Sequence, residues 1–157
     1  MKPQADCVDA FMISDKKATN PKDGVATTRL DLTLFPSTAL AFGALAMTEG
    51  DCKYGGYNYR VAGVQASVYV AALGRHIAKY YNGEWADIDT KVPHLASALA
   101  CVAVLIDAHV NDLINDDRPP QSNIGALLSE FENNVRHLQQ LFPNGPGRYR
   151  ANGSKKG

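Results

Sequence analysis

Apolar and polar residues are spaced along this chain as in a helical protein. The clearest pattern predicts a helix from about Ile124 to Phe142. Its apolar residues recur every three or four positions and form one stripe at Leu128, Phe131, Val135, Leu138 and Phe142. This period is what an amphipathic helix requires. Looser helical spacing predicts a second helix over 64–81, and an apolar segment predicts another from Pro93 to about Leu113.

The pattern before residue 64 is less regular. Apolar and polar residues alternate over 30–34, which predicts a short extended segment. A helix is expected to follow, with Ser37 or Thr38 as its cap and Gly50 at its end. Residues 51–63 are rich in glycine and tyrosine and predict a functional loop.

These patterns predict an all-α fold, a compact bundle of four to five helices. We expect a helical nucleotide-handling domain at 29–143. An irregular N-terminal arm at 1–28 should precede it, and a flexible, disordered basic tail at 144–157 should follow it.

Composition limits the partners. Sixteen basic residues balance sixteen acidic ones, so no net charge favours nucleic acid or an anionic membrane as a partner. The longest apolar run, residues 96–106, is about half of a bilayer span. The three cysteines form no CxxC pair and their odd number argues against a disulfide framework, so we expect a cytoplasmic protein.

An acidic loop offers the best local arrangement for a divalent cation. Glu84, Asp87 and Asp89 lie within six residues. Mg²⁺ prefers hard oxygen ligands, commonly one or two carboxylates completed by water and phosphate. The alternative is an ordinary solvated acidic surface.

The segment KYGGYNYR, residues 53–60, has complementary chemistry. Lys53 and Arg60 can pair with phosphate, glycines allow close backbone approach, and tyrosines such as Tyr54 can stack on a base.

Three polar residues on the predicted helices are further candidates. Asp107 lies in the most apolar part of its helix, where a carboxylate needs an ion pair, a metal or a substrate contact. An arginine at 60, 75 or 118 is the simplest partner for it. His94 begins the same helix, and His76 follows Arg75 near the end of the helix before it. Both histidines are candidates for chemistry, although a histidine there is often a satisfied structural residue.

Familiar catalytic motifs are absent from the sequence. There is no GxxxxGK[ST], GxGxxG, GxSxG or HExxH, so the P-loop, Rossmann, serine hydrolase and zincin classes have no support.

Six segments in one order resemble the phage-encoded dATP/dGTP diphosphohydrolase family (MazZ-like), which is grouped with the all-α MazG-like pyrophosphatases. They are NPKDG (20–24), TEGDCKYGGYNYR (48–60), VAGVQASVYVAALGRHI (61–77), NGEWADID (82–89), VPHLASALACVAVLIDA (92–108) and NDDRPP (115–120). The resemblance implies a helical fold, Mg²⁺ or Mn²⁺ as cofactor, and a purine deoxynucleoside triphosphate as substrate.

The residues that match the family's segments give a candidate site. We expect catalytic roles for Glu84, Asp87 and His94, and metal ligands at Glu84, Asp87, Asp89 and Asp107. The substrate-binding candidates are Lys53, Tyr54, Asn58, Arg60, Arg75 and His76.

The leading hypothesis is therefore a metal-dependent nucleotide pyrophosphohydrolase that assembles as a homo-oligomer. The first alternative is a non-catalytic phage protein that sequesters a nucleotide signal. The second is a helical assembly or regulatory protein with a vestigial site.

Overall fold

The computed structural model describes residues 29–151, and helices dominate this part of the chain. Five α-helices lie among the described residues: α1 (Ser37–Tyr54), α2 (Asn58–Ala62), α3 (Ala66–Tyr81), α4 (His94–Val110) and α5 (Ile124–Leu141). The predicted all-α class and the number of helices are confirmed.

The chain divides into two compact units between Asn115 and Asp116. This division falls within the predicted domain at 29–143, whose boundaries stay a prediction. The predicted arm at 1–28 and the last six residues of the tail lie outside the described residues.

The first unit is organised around α4, which packs against both α1 and α3. One small core joins Ala46 of α1 to Val92 and Ala96. A second joins residues before and within α4, namely Tyr59, Val64, Val104 and Ala108. Alanine and glycine allow the helices to approach closely. A Cβ added at Gly43, for example, would lie 3.1 Å from the Leu99 side chain.

Two short strands of two residues each pair beside α4 in this unit. β1 (Val64–Gln65) runs parallel to β2 (Ile114–Asn115), with Val64 opposite Ile114. The second helix, predicted to run from about Val64 to Tyr81, begins at Ala66 because residues 64 and 65 pair with β2. The third helix was predicted to reach Leu113 but ends at Val110.

Two predictions for the segment before residue 56 are wrong. The expected extended segment contains a 3-10 turn at Leu32–Leu34, where the Asp31 side chain accepts a hydrogen bond from the Thr33 backbone. α1 does not end at Gly50 but continues to Tyr54, and Gly55, with φ of 85°, follows it. Residues 51–63 are therefore largely helical, although a tight turn remains at 55–57.

The second unit contains α5. Its cap, Asn123, accepts a hydrogen bond from the Ala126 backbone at 3.2 Å. Its helical range agrees with the predicted one to within one residue. None of the helices found between residues 29 and 151 combines the length and apolarity needed to cross a membrane.

Candidate functional site

A buried histidine stands at the centre of the candidate site. His94 is the first residue of α4 and has no exposed surface. Its Nε2 lies 2.9 Å from Oε1 of Glu84, and its Nδ1 lies 3.1 Å from Nδ1 of His76. The end of α3 thus meets the acidic loop through the start of α4.

Backbone contacts hold the acidic loop against α4. The His94 N–H donates to the Trp85 carbonyl at 2.9 Å, and Ala86 bridges to Pro93. The Trp85 ring also packs edge-on against Phe42 of α1, with ring centroids 6.2 Å apart. This packing fixes the position of Glu84 beside His94.

Lys79 places a positive charge beside Glu84 and Asp87, two of the three acids of the loop. Its Nζ lies 3.2 Å from Oε1 of Glu84 and 4.0 Å from Oδ2 of Asp87. Hydrogen bonds from His94 and then from Lys79 lower the pKa of Glu84. Backbone N–H groups of Thr90 and then Asp89 lower the pKa of Asp87. Both acids are therefore ionised at neutral pH.

These side chains form what we call the histidine–acid cluster: His76, Lys79, Glu84, Asp87 and His94. α1 supplies charges near it. Lys53 pairs with Glu49 at 2.5 Å, and Asp87 contributes to the raised pKa of Lys53 after the Glu49 hydrogen bond.

Burial has the largest effect on His76 and lowers its pKa, and neighbouring His94 and Lys79 lower it further. The charge of Glu49 acts in the opposite direction and raises the pKa of His76. Arg75 also contributes to the lowered pKa of His76.

A groove of about 710 Å³ lies between α1 and α4 and is walled by residues 54–59. Its volume is typical of small-molecule pockets. Tyr54 and Asn58, two predicted substrate-binding residues, line it together with Tyr69 and Cys101. Most of its other lining groups are apolar, which suits a flat aromatic ligand.

Arg60 and Asp107 form a bidentate ion pair. Nε and Nη2 of Arg60 donate to the two carboxylate oxygens at 2.9 and 2.6 Å. This hydrogen bonding lowers the pKa of Asp107. Of the three arginines considered for Asp107, Arg60 is its partner. Arg60 also lies over the Tyr57 ring, with 5.4 Å between the guanidinium carbon and the ring centroid.

The four predicted metal ligands do not meet at one point. Asp107 is thirteen residues beyond His94 on α4, about 20 Å along a helix that rises about 1.5 Å per residue. Lys79 faces Glu84 and Asp87, and the Asp89 backbone donates to Asp87. Across residues 29–151 no three His, Cys, Asp or Glu side chains are grouped to hold a metal ion. A four-ligand site does not fit this arrangement, and the metal itself stays a prediction.

Sequence reasoning missed two charged residues near the site, Glu49 and Lys79. Both lie on helices, where single charges usually mark a solvated face. The only local indication was that Lys53 follows Glu49 by four positions, a spacing at which opposite charges can pair on a helix. Arg118, the fourth residue of the motif NDDRPP, forms a local bidentate pair with Asp116 in the second unit.

The first unit is thus a helical protein unit with a small-molecule groove and a cluster of titratable residues. The family model "dATP/dGTP diphosphohydrolase, N-terminal" matches residues 19–118, which include the whole cluster and groove. The chain belongs to this family. The resemblance is confirmed, and the family agrees with the predicted class of nucleoside triphosphate pyrophosphatase. Neither the curated proteins nor the solved structures contain a match to the chain.

Proposed function

We propose that this protein hydrolyses a purine deoxynucleoside triphosphate to a shorter nucleotide, with release of pyrophosphate or phosphate. The proposal rests on one observation: the same two turns of α1 carry both groove-lining residues and charged residues. Met47, Thr48, Asp51 and Tyr54 line the groove, while Glu49 and Lys53 on the same two turns interact electrostatically with His76 and Asp87 of the cluster. A nucleotide has the same division into an aromatic part and a charged part.

The groove supports binding of the base. Apolar walls and tyrosine rings bury an aromatic ring, and a few polar groups such as Asn58 can set its orientation. Lys53, Arg75 and His76 are the proposed contacts for the phosphates, since cationic and hydrogen-bonding groups recognise them. Arg60 remains a proposed contact through the part of its guanidinium that Asp107 leaves available.

Metal dependence is a separate part of the proposal. Glu84 and Asp87 supply hard carboxylate oxygens, and Mg²⁺ commonly needs only one or two such ligands beside phosphate and water. Bound Mg²⁺ or Mn²⁺ would neutralise phosphate charge. Asp89 stays in the proposed set of metal ligands because it is a neighbour of Asp87. Asp107 could bind the metal only if its ion pair with Arg60 opened.

Product identification tests the activity. The full chain is incubated with dATP, dGTP, dCTP and dTTP, each with Mg²⁺, with Mn²⁺ or with a chelator. Phosphorus NMR and chromatography then identify the products. We expect purine monophosphates and pyrophosphate, or diphosphates and phosphate, only with a metal. Absence of turnover under every condition would contradict the enzyme proposal.

A nucleotide-sequestering protein is the second candidate. The pairing of each cluster carboxylate with a lysine, a histidine or backbone N–H groups supports it, because these contacts compete with a metal for the same oxygens. Tight binding of a purine nucleotide in calorimetry, without hydrolysis and without a metal requirement, would favour this function.

We further propose that the protein works as a homo-oligomer in the cytoplasm, that of a host cell if a phage encodes it. Large exposed apolar side chains on the helices of the first unit support self-association, and Ile106 and Val110 on α4 are examples.

A further inference from the structure

The groove between α1 and α4 has a carboxylate on its wall. Among the described residues that line the groove, Asp51 alone has a charged side chain, and the others are apolar, aromatic or neutral polar. The hydroxyl of Thr48, one of the neutral polar groups, donates to the Ala44 carbonyl within α1 at 2.9 Å, so its proton is already engaged. Asp51 is therefore the strongest electrostatic constraint on what the groove can bind.

Asp51 lies on the side of α1 that faces the groove. It follows Met47 by four positions and precedes Tyr54 by three, and residues at these spacings share one face of a helix. Its Oδ1 would lie 2.9 Å from a Cβ added at Gly56, which lines the groove from the turn after α1. The carboxylate thus lies at the groove wall, between α1 and this turn.

The carboxylate of Asp51 is available to a ligand. It makes none of the hydrogen bonds or ion pairs found within residues 29–151, and its charged neighbours on α1, Glu49 and Lys53, pair with each other. An ionised carboxylate only accepts hydrogen bonds, and it repels phosphate. The part of a nucleotide that lies beside Asp51 must therefore offer N–H donors, which the base has and the phosphates lack.

We propose that Asp51 selects guanine over adenine in the groove, by accepting hydrogen bonds from N1–H and from the 2-amino group of the base. The inference rests on the proposed function and narrows its purine to guanine. The two donors lie side by side in the plane of guanine and match the two oxygens of a carboxylate. Planar donor pairs of this kind form bidentate hydrogen bonds with carboxylates.

Adenine does not match the carboxylate. Its N1 has a lone pair instead of a proton, its 2-position has no amino group, and its 6-amino group is the only donor on that edge. In the same orientation, adenine would place a lone pair against a carboxylate oxygen. A site that hydrogen-bonds one substrate group discriminates strongly against an analogue that lacks this group.

Calorimetry tests the selectivity without hydrolysis. The full chain is titrated with dGTP, dITP and dATP in the presence of a chelator, which prevents metal-dependent turnover. Hypoxanthine, the base of dITP, keeps N1–H but lacks the 2-amino group. We expect dGTP to bind about 10–100-fold more tightly than dATP, as for hydrogen bonds to a charged group. The affinity of dITP should lie between the two.

Asp51→Asn is the decisive variant, because it keeps the shape of the side chain and replaces one acceptor by a donor. An amide can pair with the N1 lone pair and the 6-amino group of adenine, so the preference for guanine should disappear or reverse. Asp51→Ala should bind both purines with similar affinity. Asp112→Asn is the matched control, since Asp112 lies in the exposed turn after α4 with φ of 55°, which asparagine tolerates. This control should keep the wild-type preference.

The outcomes separate this inference from the proposed function. Equal wild-type affinity for dGTP and dATP, or a guanine preference that persists in Asp51→Asn, would reject Asp51 as the selecting residue and leave the proposed hydrolysis in place. An equal loss of affinity for both purines in Asp51→Asn would also reject it. Failure to bind any of the three nucleotides would overturn the inference, because its hydrogen bonds need no metal. Guanine-selective binding that depends on Asp51, without turnover with any metal, would support the inference and reject the enzyme proposal.

Discussion

At the scale of single residues, the structure assigns partners that the sequence left open. Asp107 had three possible arginines, and the 47 positions that separate it from Arg60 exclude any local rule for choosing among them. His94 had a structural and a catalytic interpretation. Its two ring contacts come from α3 and from the acidic loop, so neither contact could be inferred from the residue spacing around position 94.

Gly63 gives a sharp prediction at this scale. Its φ is 76° and its ψ is −179°, a conformation that is essentially restricted to glycine, and an added Cβ would lie 3.0 Å from the Leu113 carbonyl oxygen. We expect Gly63→Ala to lower the free energy of unfolding by about 1–3 kcal/mol. Urea denaturation measures the change.

Gly74 is the matched control for Gly63. It lies within α3 and nothing lies within 4 Å of an added Cβ. Gly74→Ala should therefore raise stability by about 0.5–1 kcal/mol, the usual helix preference for alanine. Equal effects of the two substitutions would show that the turn before β1 does not constrain residue 63.

The pKa of His76 predicts a pH dependence of stability. Its folded pKa lies below the ordinary value of 6.5, so the unfolded chain binds more protons between the two values. The contribution of neutral His76 is therefore present above pH 6.5 and is lost as the pH falls toward the folded pKa. Urea denaturation between pH 5 and pH 8 should show this loss.

His76→Gln is the comparison for the pH series. It removes the titrating ring, so its stability should vary less than that of the wild type below pH 6.5. Both proteins should still lose stability near pH 4, because the pKa values of Glu84, Asp87 and Asp107 are also lowered in the folded protein. Identical pH dependence of the two proteins above pH 5 would contradict a lowered pKa of His76 in the folded protein.

At the scale of elements, helical periodicity predicted most of the fold. The stripe of α5 located that helix to within one residue, because one apolar face follows the helical period. The end of α1 could not be predicted, since Gly50 and Gly55 are both acceptable stop signals. Gly50 costs the helix only about 1 kcal/mol, which packing of α1 against α4 can offset. Strands of two residues, such as β1 and β2, carry no periodic pattern at all.

The contact of α4 with its neighbours depends on small residues. Ala108 is fully buried in the core that contains Tyr59 and Val104. Inserting a larger side chain into a packed core typically costs about 1–3 kcal/mol. We therefore expect Ala108→Leu to lower the free energy of unfolding by that amount. The exposed Ala71→Leu on α3 is the matched control and should stay within about 0.5 kcal/mol of wild type.

At the scale of the whole molecule, the buried core is small. Nine apolar side chains are buried among the described residues, and five of them are alanines. Larger apolar side chains are exposed on each long helix of the first unit. Examples are Leu40 on α1, Val68 on α3 and Val110 on α4, with exposed fractions of 64%, 53% and 74%. Groups of this kind commonly mark protein interfaces.

Self-association is the prediction that follows from these exposed groups. We expect light scattering at micromolar concentration to give a dimer or tetramer of the 16.9 kDa chain. A stable assembly of this kind buries roughly 1,200–2,000 Å² at an interface. Because apolar burial drives it, the assembly should persist in 1 M salt, where the Debye length is about 3 Å and exposed ion pairs are screened. Dissociation by salt would instead indicate an electrostatic interface. A 16.9 kDa monomer at every concentration would contradict the prediction and leave the apolar helix faces without a role in assembly.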